Sequence, residues 1–545
     1  MKNIFSLLLG LMMVCGFSAC SDDDYTKKYA NPGQTATVSC EKLMTGVFFT
    51  GAQYTYNSYW RMWTWENNGL SKYAQTIGFT NSEGSVYSIN DSYANDRWIN
   101  FYKVLTQFRV LQNTYDKLTD EGKTTFRVFS ILSEIFVYDH LSQVIDVFGD
   151  VPFSTAGYLA ITGDVVTSYP SYDNAADLYT MMLDNLGTLY TELKSLSSSM
   201  SSLTTSYLTA QDFINGGDLT KWMKYCNSLR LRLATRVASQ GTLASKGQSV
   251  INEILSNNYP LVEQLTENIQ VLSDDSDASS TADPAGLNYG DAFFDGFKDH
   301  SRANQAMLDV MLTKEELGEN DPRLVVMYST NAKGEYKGYS THETYDEQVT
   351  NTSGIAESER VYSRIDSTTV IYNRNMKSPI ITAAEVNLMK AEAYQKGWAN
   401  GDAKQAFVDG VLESVKFYYD QNNEAVNTFL TTSPIKKVEM PNESDIIAFA
   451  EKMWDKAANK EEIIGIQKWL NFGFLQGGQA WNEVRRTGYP SLYCPSDPTA
   501  QVLKETPNRV MYPNSERSYN TAKYQEQVQT MPDGDSYYTK LFWAK

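Results

Sequence analysis

The clearest pattern of hydrophobic positions in the chain runs from Gly216 to Gln240. At roughly 100° per residue, one set of apolar side chains falls within about a quarter of a helix circumference. The set comprises Leu219, Trp222, Cys226, Leu229, Leu233 and Val237. Leu231 points roughly opposite this stripe, so the predicted helix has neighbours on two sides. Asp218 is placed to cap its first turn. A helix of this kind is typical of a stack of helices.

The same period recurs on both sides of this segment and predicts a mostly α fold. Apolar residues at helical spacing predict a hairpin of two helices between Trp98 and Val144. Further helices are predicted over 174–197, 381–398, 401–422, 444–458 and 461–486. The small residues of 381–398 are typical of tetratricopeptide-type helices. Residues 66–95 and about 258–380 lack the period and are rich in Gly, Asn, Ser and Asp. These two segments are predicted to form loops and short extended pieces, the second as an insertion.

Three arginines on the predicted central helix extend past its apolar stripe. Arg230, Arg232 and Arg236 have two interpretations. They form ion pairs with acidic residues of adjacent helices, or they bind a ligand. We expect ion pairing, because a long charged side chain beside an apolar stripe most often finds its partner on a neighbouring helix.

Residues 1–19 have the properties of a secretory signal peptide. A single positive charge precedes an apolar run from Ile4 to Phe17, and the run is too short to span a membrane. Phe17 to Cys20 resembles a lipobox, so we predict cleavage before Cys20 and acylation of its thiol. Cys15 competes for this role, but the residue before it, Val14, is β-branched where a small residue is needed. Residues 20–40 are then an acylated N-terminus and linker.

Composition limits the remaining possibilities. No Pro/Gly/Ser-rich linker divides the 545 residues, which predicts a single domain over 41–545. The net charge of −18 argues against nucleic acid or anionic lipid as a partner and makes polyanionic glycans less favourable. The five cysteines have neither zinc-ribbon nor redox-pair spacing. With Cys20 acylated and the leader removed, three cysteines remain, so at least one is unpaired in the monomer.

Catalytic and metal-binding spacings were sought and not found. His342-Glu343 lacks the second His of a zinc protease, and His140 on its predicted helix is better explained as a packed histidine than as a base. Asp274, Asp275 and Asp277 lack the Gly and Glu that a calcium loop requires. We therefore predict no enzyme, no cofactor and no metal. Glycosidase carboxylate pairs stay open, because their deciding separation is spatial.

Aromatic residues in the two irregular segments are candidates for ligand binding. Sugar rings and peptides are both gripped by flat aromatic side chains with hydrogen-bonding neighbours. Seven such residues in turn-rich sequence are difficult to bury together, so we predict that some are exposed and contact ligand. For any single one, the alternative is core packing. The seven are Trp65, Tyr73, Tyr87, Tyr93, Tyr289, Phe293 and Phe294.

Four segments carry a resemblance to a known family. FGDVPF at 148–153, GGDLTKW at 216–222 with its arginine helix, AAEVNLMKAEAY at 383–394 and WNEVRRTGYP at 481–490 occur in this order. Together with the leader, they resemble the SusD/RagB family of Bacteroidetes outer-membrane lipoproteins. Residues 21–24, Ser-Asp-Asp-Asp, resemble the acidic signal that exports such lipoproteins to the cell surface. The alternative for this run is a solvated linker.

The resemblance implies both a fold and a function. The fold is a tetratricopeptide-like α–α superhelix with its ligand on the irregular segments. The function is that of a cell-surface nutrient-binding lipoprotein, which captures oligosaccharide or peptide and delivers it as a lid to a SusC-like, TonB-dependent barrel transporter. Two alternatives are a helical-repeat adaptor that binds only proteins and a surface glycoside hydrolase. The family's ligand-binding residues lie outside these motifs, so the aromatic candidates rest on physical reasoning alone.

Overall fold

The computed structural model describes residues 39–79, 89–272, 294–373, 375–425, 435–494 and 506–545. The predicted signal peptide, Cys20 and the acidic run lie outside these residues. So do the three aspartates considered for calcium.

The described chain is mostly helical, with α-helices of ten or more residues that follow one another along the sequence. They are α1 (Cys40–Thr55), α2 (Asp91–Asp116), α3 (Asp120–Phe148), α4 (Ala175–Ser199), α5 (Ser202–Gln211), α6 (Leu219–Ala238), α7 (Ala244–Ser256), α8 (Ala383–Gln395), α9 (Ala403–Asn423), α10 (Glu443–Lys456), α11 (Lys460–Phe472), α12 (Gly477–Thr487) and α13 (Thr521–Thr530). Helices α1 and α2, α2 and α3, α6 and α7, and α8 and α9 pack as neighbouring pairs. This is the predicted mostly α, tetratricopeptide-like arrangement.

Shorter elements connect and flank these helices. Short helical segments are Tyr59–Leu70, Ser71–Tyr73, Leu159–Thr162, Val166–Ser168, Leu265–Glu267, Phe294–His300, Gln305–Met311, Lys314–Leu317, Leu324–Met327, Tyr345–Thr350, Glu357–Glu359, Ser367–Ile371 and Asn514–Tyr519. Between α7 and α8 the described chain holds only these short segments and short strands. The predicted loop-rich insertion is therefore confirmed over the described part of 258–380.

The strands form small antiparallel pairs. Their bounds are β1 (Gly78–Phe79), β2 (Ile269–Leu272), β3 (Ser301–Arg302), β4 (Tyr328–Ser329), β5 (Arg364–Ile365) and β6 (Lys377–Ile381). The pairs are β1 with β3, β2 with β6, and β4 with β5. The β1–β3 pair joins the two irregular segments to each other, and β2–β6 joins the start of the insertion to the strand that precedes α8. The β4–β5 pair lies within the insertion.

Helix α6 lies at the centre of the stack, as its hydrophobic pattern predicts. The stripe residues and Leu231 are both buried, and the helix packs against α3, α4, α7 and α8. Asp218 caps the helix, because its carboxylate accepts hydrogen bonds from the backbone N–H groups of Thr220 and Lys221 at 2.8 and 3.2 Å. Neighbours on two sides explain why apolar residues occupy both faces.

The three arginines of α6 form ion pairs, which confirms that prediction. Arg230 binds Glu253 of α7 at 2.9 Å, and Arg232 binds Glu385 of α8 at 2.6 Å. The third, Arg236, lies 3.3 Å from Asp146 of α3 and 3.5 Å from Glu483 of α12. The ion pairs therefore join α6 to four other helices.

Another buried ion pair joins two of the four segments that resemble the SusD/RagB family. Arg486 of α12 binds Glu392 of α8 at 2.7 Å, and Lys468 also contacts this carboxylate. Burial alone would raise the pKa of Glu392, yet the two cations hold that pKa well below its usual range. The motifs AAEVNLMKAEAY and WNEVRRTGYP are thus parts of one charged network in the scaffold.

Two predicted elements differ from the structure. Residues 461–486 form two helices rather than one, because Gly473 adopts φ +47° and ends the first helix. A Cβ at this position would lie 2.6 Å from the Tyr418 hydroxyl, so the position also requires glycine. The chain also stays helical from Tyr59 to Tyr73, where loops were expected from residue 66. The turns over Tyr59–Leu70 are wide π-type turns, so their aromatic residues do not follow the 3.6-residue period.

Helix α3 is long and apolar enough to cross a membrane by length and composition alone. However, 89% of its most apolar window is buried inside the protein. Its hydrophobicity is therefore that of a core helix.

Candidate ligand-binding site

Two of the predicted binding aromatics lie in the core. Trp65 is 5% exposed and its ring stacks near Phe148 at 6.2 Å. Tyr73 is 1% exposed and packs against Trp481 at 5.2 Å. The expectation that these side chains are exposed is wrong, because the chain around them is helical and faces α3 and α12.

The other five candidates keep the status of predictions. Tyr93 is half-buried in the first turn of α2. Tyr87, Tyr289 and Phe293 lie outside the described residues. The backbone of Phe294 begins a described helical segment, Phe294–His300, but its side chain is not among those described.

The structure instead shows a half-buried group of aromatic rings on the segment Tyr59–Leu70. Tyr59 and Trp63 lie one turn apart with near-parallel rings, 6.3 Å and 18° apart, and Trp60 meets Tyr59 edge-on at 5.9 Å. His300, from the loop-rich insertion, packs edge-on against Trp63 at 5.0 Å. We call Tyr59, Trp60, Trp63 and His300 the aromatic cluster. The sequence did not single out these residues, because their partial exposure depends on the neighbouring insertion.

Local structure holds the aromatic cluster in place from two directions. The side chain of Ser58 accepts a hydrogen bond from the backbone N–H of Arg61 at 3.1 Å and so caps the segment. On the other side, the backbone at Gly296 approaches Trp63 so closely that a Cβ would lie 3.2 Å from the indole ring. The insertion is therefore fitted against Trp63. Its next residues, Ser301 and Arg302, pair with β1 and fasten this contact to the scaffold.

The inner side of the same segment lines a small polar cavity of about 60 Å³. Arg61, Arg97, Asp139 and His140 are among its lining residues. A cavity of this size holds about four waters, at roughly 15 Å³ for each, and is too small for a sugar ring. It is a small polar pocket within the core rather than a candidate ligand site.

His140 is a buried core residue, which is one of the two structural positions, core or surface, that its place on a helix left open. Its Nε2 lies 3.1 Å from the hydroxyl of Thr55, which itself donates to the backbone carbonyl of Gly51 at 3.0 Å. Burial, with smaller contributions from Arg97 and Arg61, lowers the pKa of His140 well below its usual value. The residue is thus neutral and lies in the core.

A larger open groove of about 790 Å³ lies between residues 263–266 and helices α8 and α9. Its lysines are paired: Lys390 contacts Glu263, and Lys416 contacts Glu413 and Glu443. None of the described lining residues is aromatic. The groove therefore lacks the flat apolar surface that a sugar ring requires.

The described residues contain no group of three His, Cys, Asp or Glu side chains suited to a metal ion. Cys40 and Cys226 are buried free thiols, and Cys494 is an exposed one. At least one unpaired thiol was expected, and this is confirmed.

A helical-repeat scaffold that carries aromatic rings beside an irregular insertion defines a class of binding proteins. A family model described as "Starch-binding associating with outer membrane", of the SusD-like type, matches residues 35–513. The chain therefore belongs to the SusD-like family, as the four sequence segments indicated. A search of curated proteins gave no match.

Solved structures agree with this assignment at the level of the fold. One described as a chitin-binding protein has a TM-score of 0.72 and 20% identity, covering 92% of this chain and 99% of its own. A chitin-binding SusD homologue from Flavobacterium johnsoniae has a TM-score of 0.68 and 19% identity, with coverages of 92% and 98%. A SusD homologue from Bacteroides thetaiotaomicron has a TM-score of 0.62 and 20% identity, with coverages of 93% and 99%.

Proposed function

We propose that this protein is a cell-surface lipoprotein that binds a neutral oligosaccharide and delivers it to a SusC-like, TonB-dependent barrel transporter. Membership of a family described as starch-binding and associated with the outer membrane supports the general activity. The observation that carries the proposal for this chain is the aromatic cluster. It presents half-buried rings at the junction between scaffold and insertion.

The chemistry of the aromatic cluster suits a sugar. A pyranose ring has an apolar C–H face edged by hydroxyl groups, and it packs against the flat face of a tryptophan or tyrosine. The net charge of −18 disfavours anionic glycans, which leaves neutral ones as the preferred class. Two structurally similar proteins are described as chitin-binding. Oligosaccharides of β-linked N-acetylglucosamine are therefore the first probes, with starch oligosaccharides as the second.

The mechanism that we propose is binding and transfer without covalent chemistry. Acylated Cys20 would hold the protein at the outer membrane, and the helical scaffold would dock on the transporter. A peptide ligand, a purely protein-binding adaptor and a glycoside hydrolase are the competing functions. Each predicts a different experimental outcome.

The test is calorimetric titration of the mature protein with chitohexaose and maltohexaose, alongside the variant Trp63→Ala. Loss of a central aromatic platform is expected to weaken binding by about 1–3 kcal/mol, or roughly 5- to 150-fold. The control is Tyr519→Ala, because Tyr519 is 79% exposed and lies away from the aromatic cluster on the segment Asn514–Tyr519. Thermal melts of each variant separate lost contacts from lost folding.

Three results would contradict this proposal. Binding of peptides but of no glycan in a broad panel would favour the peptide function. Release of reducing sugar during the titration would favour the hydrolase. Equal glycan affinity of the parent and Trp63→Ala, with equal melting temperatures, would remove the aromatic cluster from the binding site.

A further inference from the structure

The loop between α3 and α4 carries a concentration of exposed apolar side chains. Leu159 is 47% exposed, Val165 is 59% exposed and Val166 is 81% exposed. None of the residues in the short helical turn Leu159–Thr162 is buried. Exposed apolar residues are ordinarily scattered singly over a protein, and a group of them marks a surface that contacts something else. We call Leu159, Val165 and Val166 the apolar tip.

The base of this loop is fastened to the scaffold. Asp173 accepts hydrogen bonds from the backbone N–H groups of Phe153 and Ser154 at 2.7 and 2.9 Å, which closes the loop. Arg109 of α2 donates hydrogen bonds to the backbone carbonyls of Phe153 and Ala156 at 2.8 and 3.3 Å. The scaffold therefore holds the loop in a position that leaves the apolar tip in solvent.

The polar groups close to the apolar tip form hydrogen bonds within the loop. Asp164 is the only charged residue between positions 155 and 172. Its carboxylate accepts a hydrogen bond from the backbone N–H of Val166 at 2.9 Å, and its backbone carbonyl accepts one from the Ser168 hydroxyl. The Thr162 hydroxyl donates to the Tyr158 carbonyl at 3.3 Å. Internal hydrogen bonds of this kind lower the cost of moving the loop out of water.

Helices α1 and α2 run antiparallel, so the start of α1 lies beside the end of α2. The Asn100 amide of α2 donates a hydrogen bond to the Thr50 carbonyl of α1 at 2.9 Å. Earlier on α1, a Cβ on Gly46 would lie 3.8 Å from the side chain of Gln107, which comes later on α2. Extending this register places Cys40 beside the last turn of α2. The predicted N-terminal linker therefore enters the fold at this end of the helix pair.

The apolar tip is close to the same end. Gly157, two residues before the tip, lies so near α2 that a Cβ would be 3.1 Å from Arg109 and 3.3 Å from Leu105. Arg109 is roughly 10 Å from the end of α2, at 1.5 Å per residue. The linker from position 20 to position 38 can span at most about 65 Å. An acyl anchor on Cys20 therefore keeps the apolar tip within reach of the membrane surface.

We infer that the apolar tip inserts into the membrane surface beside the lipid anchor. The inference rests on the anchor of the proposed function and adds a second membrane contact to it. A flexible linker alone leaves the protein free to rotate above the membrane, whereas a second contact fixes its orientation. Insertion of a turn of this kind is shallow, with its apolar side chains at the boundary between headgroups and acyl chains.

The residues that flank the apolar tip favour a lipid surface as its partner. Tyr158 is 38% exposed and Tyr169 is 52% exposed, so an exposed tyrosine lies on each side of the aliphatic residues. Tyrosine concentrates where a membrane meets water, because its ring is apolar and its hydroxyl stays hydrated. The net charge of −18 disfavours an anionic surface. The partner is therefore an uncharged, zwitterionic lipid surface.

The first experiment places a dye at the apolar tip of the acylated protein in phosphatidylcholine vesicles. Val166→Cys carries an environment-sensitive dye in a Cys494→Ser background, since Cys494 is an exposed thiol. We expect its emission to shift to the blue and to be quenched by spin-labelled lipid. Val325→Cys is the matched control, because Val325 is a 45% exposed valine of the insertion. A dye at position 166 that stays in water, like the dye at position 325, overturns the inference.

The second experiment measures the apolar tip without the anchor. Cys20→Ala protein is titrated with phosphatidylcholine vesicles, with and without the paired substitutions Val165→Asp and Val166→Asp. The paired substitutions are expected to weaken partitioning about tenfold or more, because they remove two aliphatic side chains from the lipid contact. Val325→Asp is expected to leave partitioning unchanged, and thermal melts report on folding. Equal partitioning of all three proteins, or none by the Cys20→Ala protein itself, overturns the inference.

These results are distinguishable from failure of the proposed function. If the dye at position 166 stays in water while the acylated protein binds chitohexaose, the membrane contact is overturned and the proposed function stands. If the protein binds no glycan, yet Cys20→Ala protein partitions into vesicles through Val165 and Val166, the proposed function is overturned and the membrane contact stands.

Discussion

Aromatic side chains that pack in the scaffold are buried, whereas those of the candidate binding surface are partly exposed. Trp65 and Trp63 are two residues apart on the same helical segment, yet Trp65 packs against Phe148 while Trp63 is half-buried beside His300. Tyr73 is buried, whereas Tyr493 is half exposed. Residue type alone does not distinguish members of these pairs.

The residue whose protonation the fold most clearly opposes is His140. Its pKa in the folded protein lies well below 6.5, whereas the unfolded chain binds a proton near that value. Below pH 6.5 the unfolded state therefore binds more protons, so this group contributes stability above pH 6.5 that is lost as the pH falls. The loss approaches about 1.4 kcal/mol per pH unit until the native pKa is reached.

We expect His140→Asn to have a flatter dependence of stability on pH than the parent. Urea unfolding of both proteins between pH 7.5 and 5 measures this, and the comparison uses the slope rather than the absolute stability, since the variant also changes packing. Parallel pH curves would show that His140 is not the group responsible. His300→Asn is a suitable control, because His300 is only half-buried.

At the scale of the elements, helix α6 and its ion pairs determine how the helices stack. The four sequence segments shared with the family supply both partners of two buried pairs: Arg232 with Glu385, and Arg486 with Glu392. The segments therefore identify the scaffold, and this explains why they contain none of the exposed aromatic rings. Resemblance to the family could predict the fold from these segments but not the ligand.

Removing one partner of a buried ion pair leaves the other charge uncompensated. Glu385→Ala is therefore expected to destabilise the protein by about 3–5 kcal/mol, because Arg232 stays buried with only Asp139, at 3.6 Å, nearby. Glu461→Ala is the matched control, since its pair with Lys396 is half exposed and is expected to contribute less than about 1 kcal/mol. Urea unfolding measures both, and equal losses would contradict a special role for the buried pair.

At the scale of the whole molecule, the described chain combines a helical scaffold with an irregular, loop-rich insertion. A protein that captures a ligand for import must also be held near the transporter. The predicted lipobox would provide this, because several acyl chains anchor a lipoprotein stably where a single chain binds only marginally.

Cys20→Ala is expected to move the protein from the membrane fraction to the soluble fraction and to abolish palmitate labelling. Cys15→Ala is the control and should leave both unchanged. Continued labelling of Cys20→Ala would assign the anchor to another cysteine.

If the protein acts as a lid on a barrel transporter, the unsubstituted protein is expected to remain bound to that transporter when it is extracted. After mild detergent extraction it should co-purify with a large outer-membrane barrel, through an interface of more than about 2,000 Å². Recovery as a free monomer, under conditions that preserve other complexes of this type, would contradict the lid arrangement.

The sequence by itself determined the helical class, the central place of α6, its Asp218 cap and the ion pairing of its arginines. These features follow from the local hydrophobic period, from capping chemistry and from the cost of leaving charges unpaired. Even so, the break at Gly473 and the helical turns from Tyr59 to Tyr73 were decided by contacts with distant residues. Only the tertiary structure left Trp63 half-buried beside His300 while it buried Trp65. The exposure of an aromatic ring depends on which distant segment packs against it, and the local hydrophobic period does not indicate that segment.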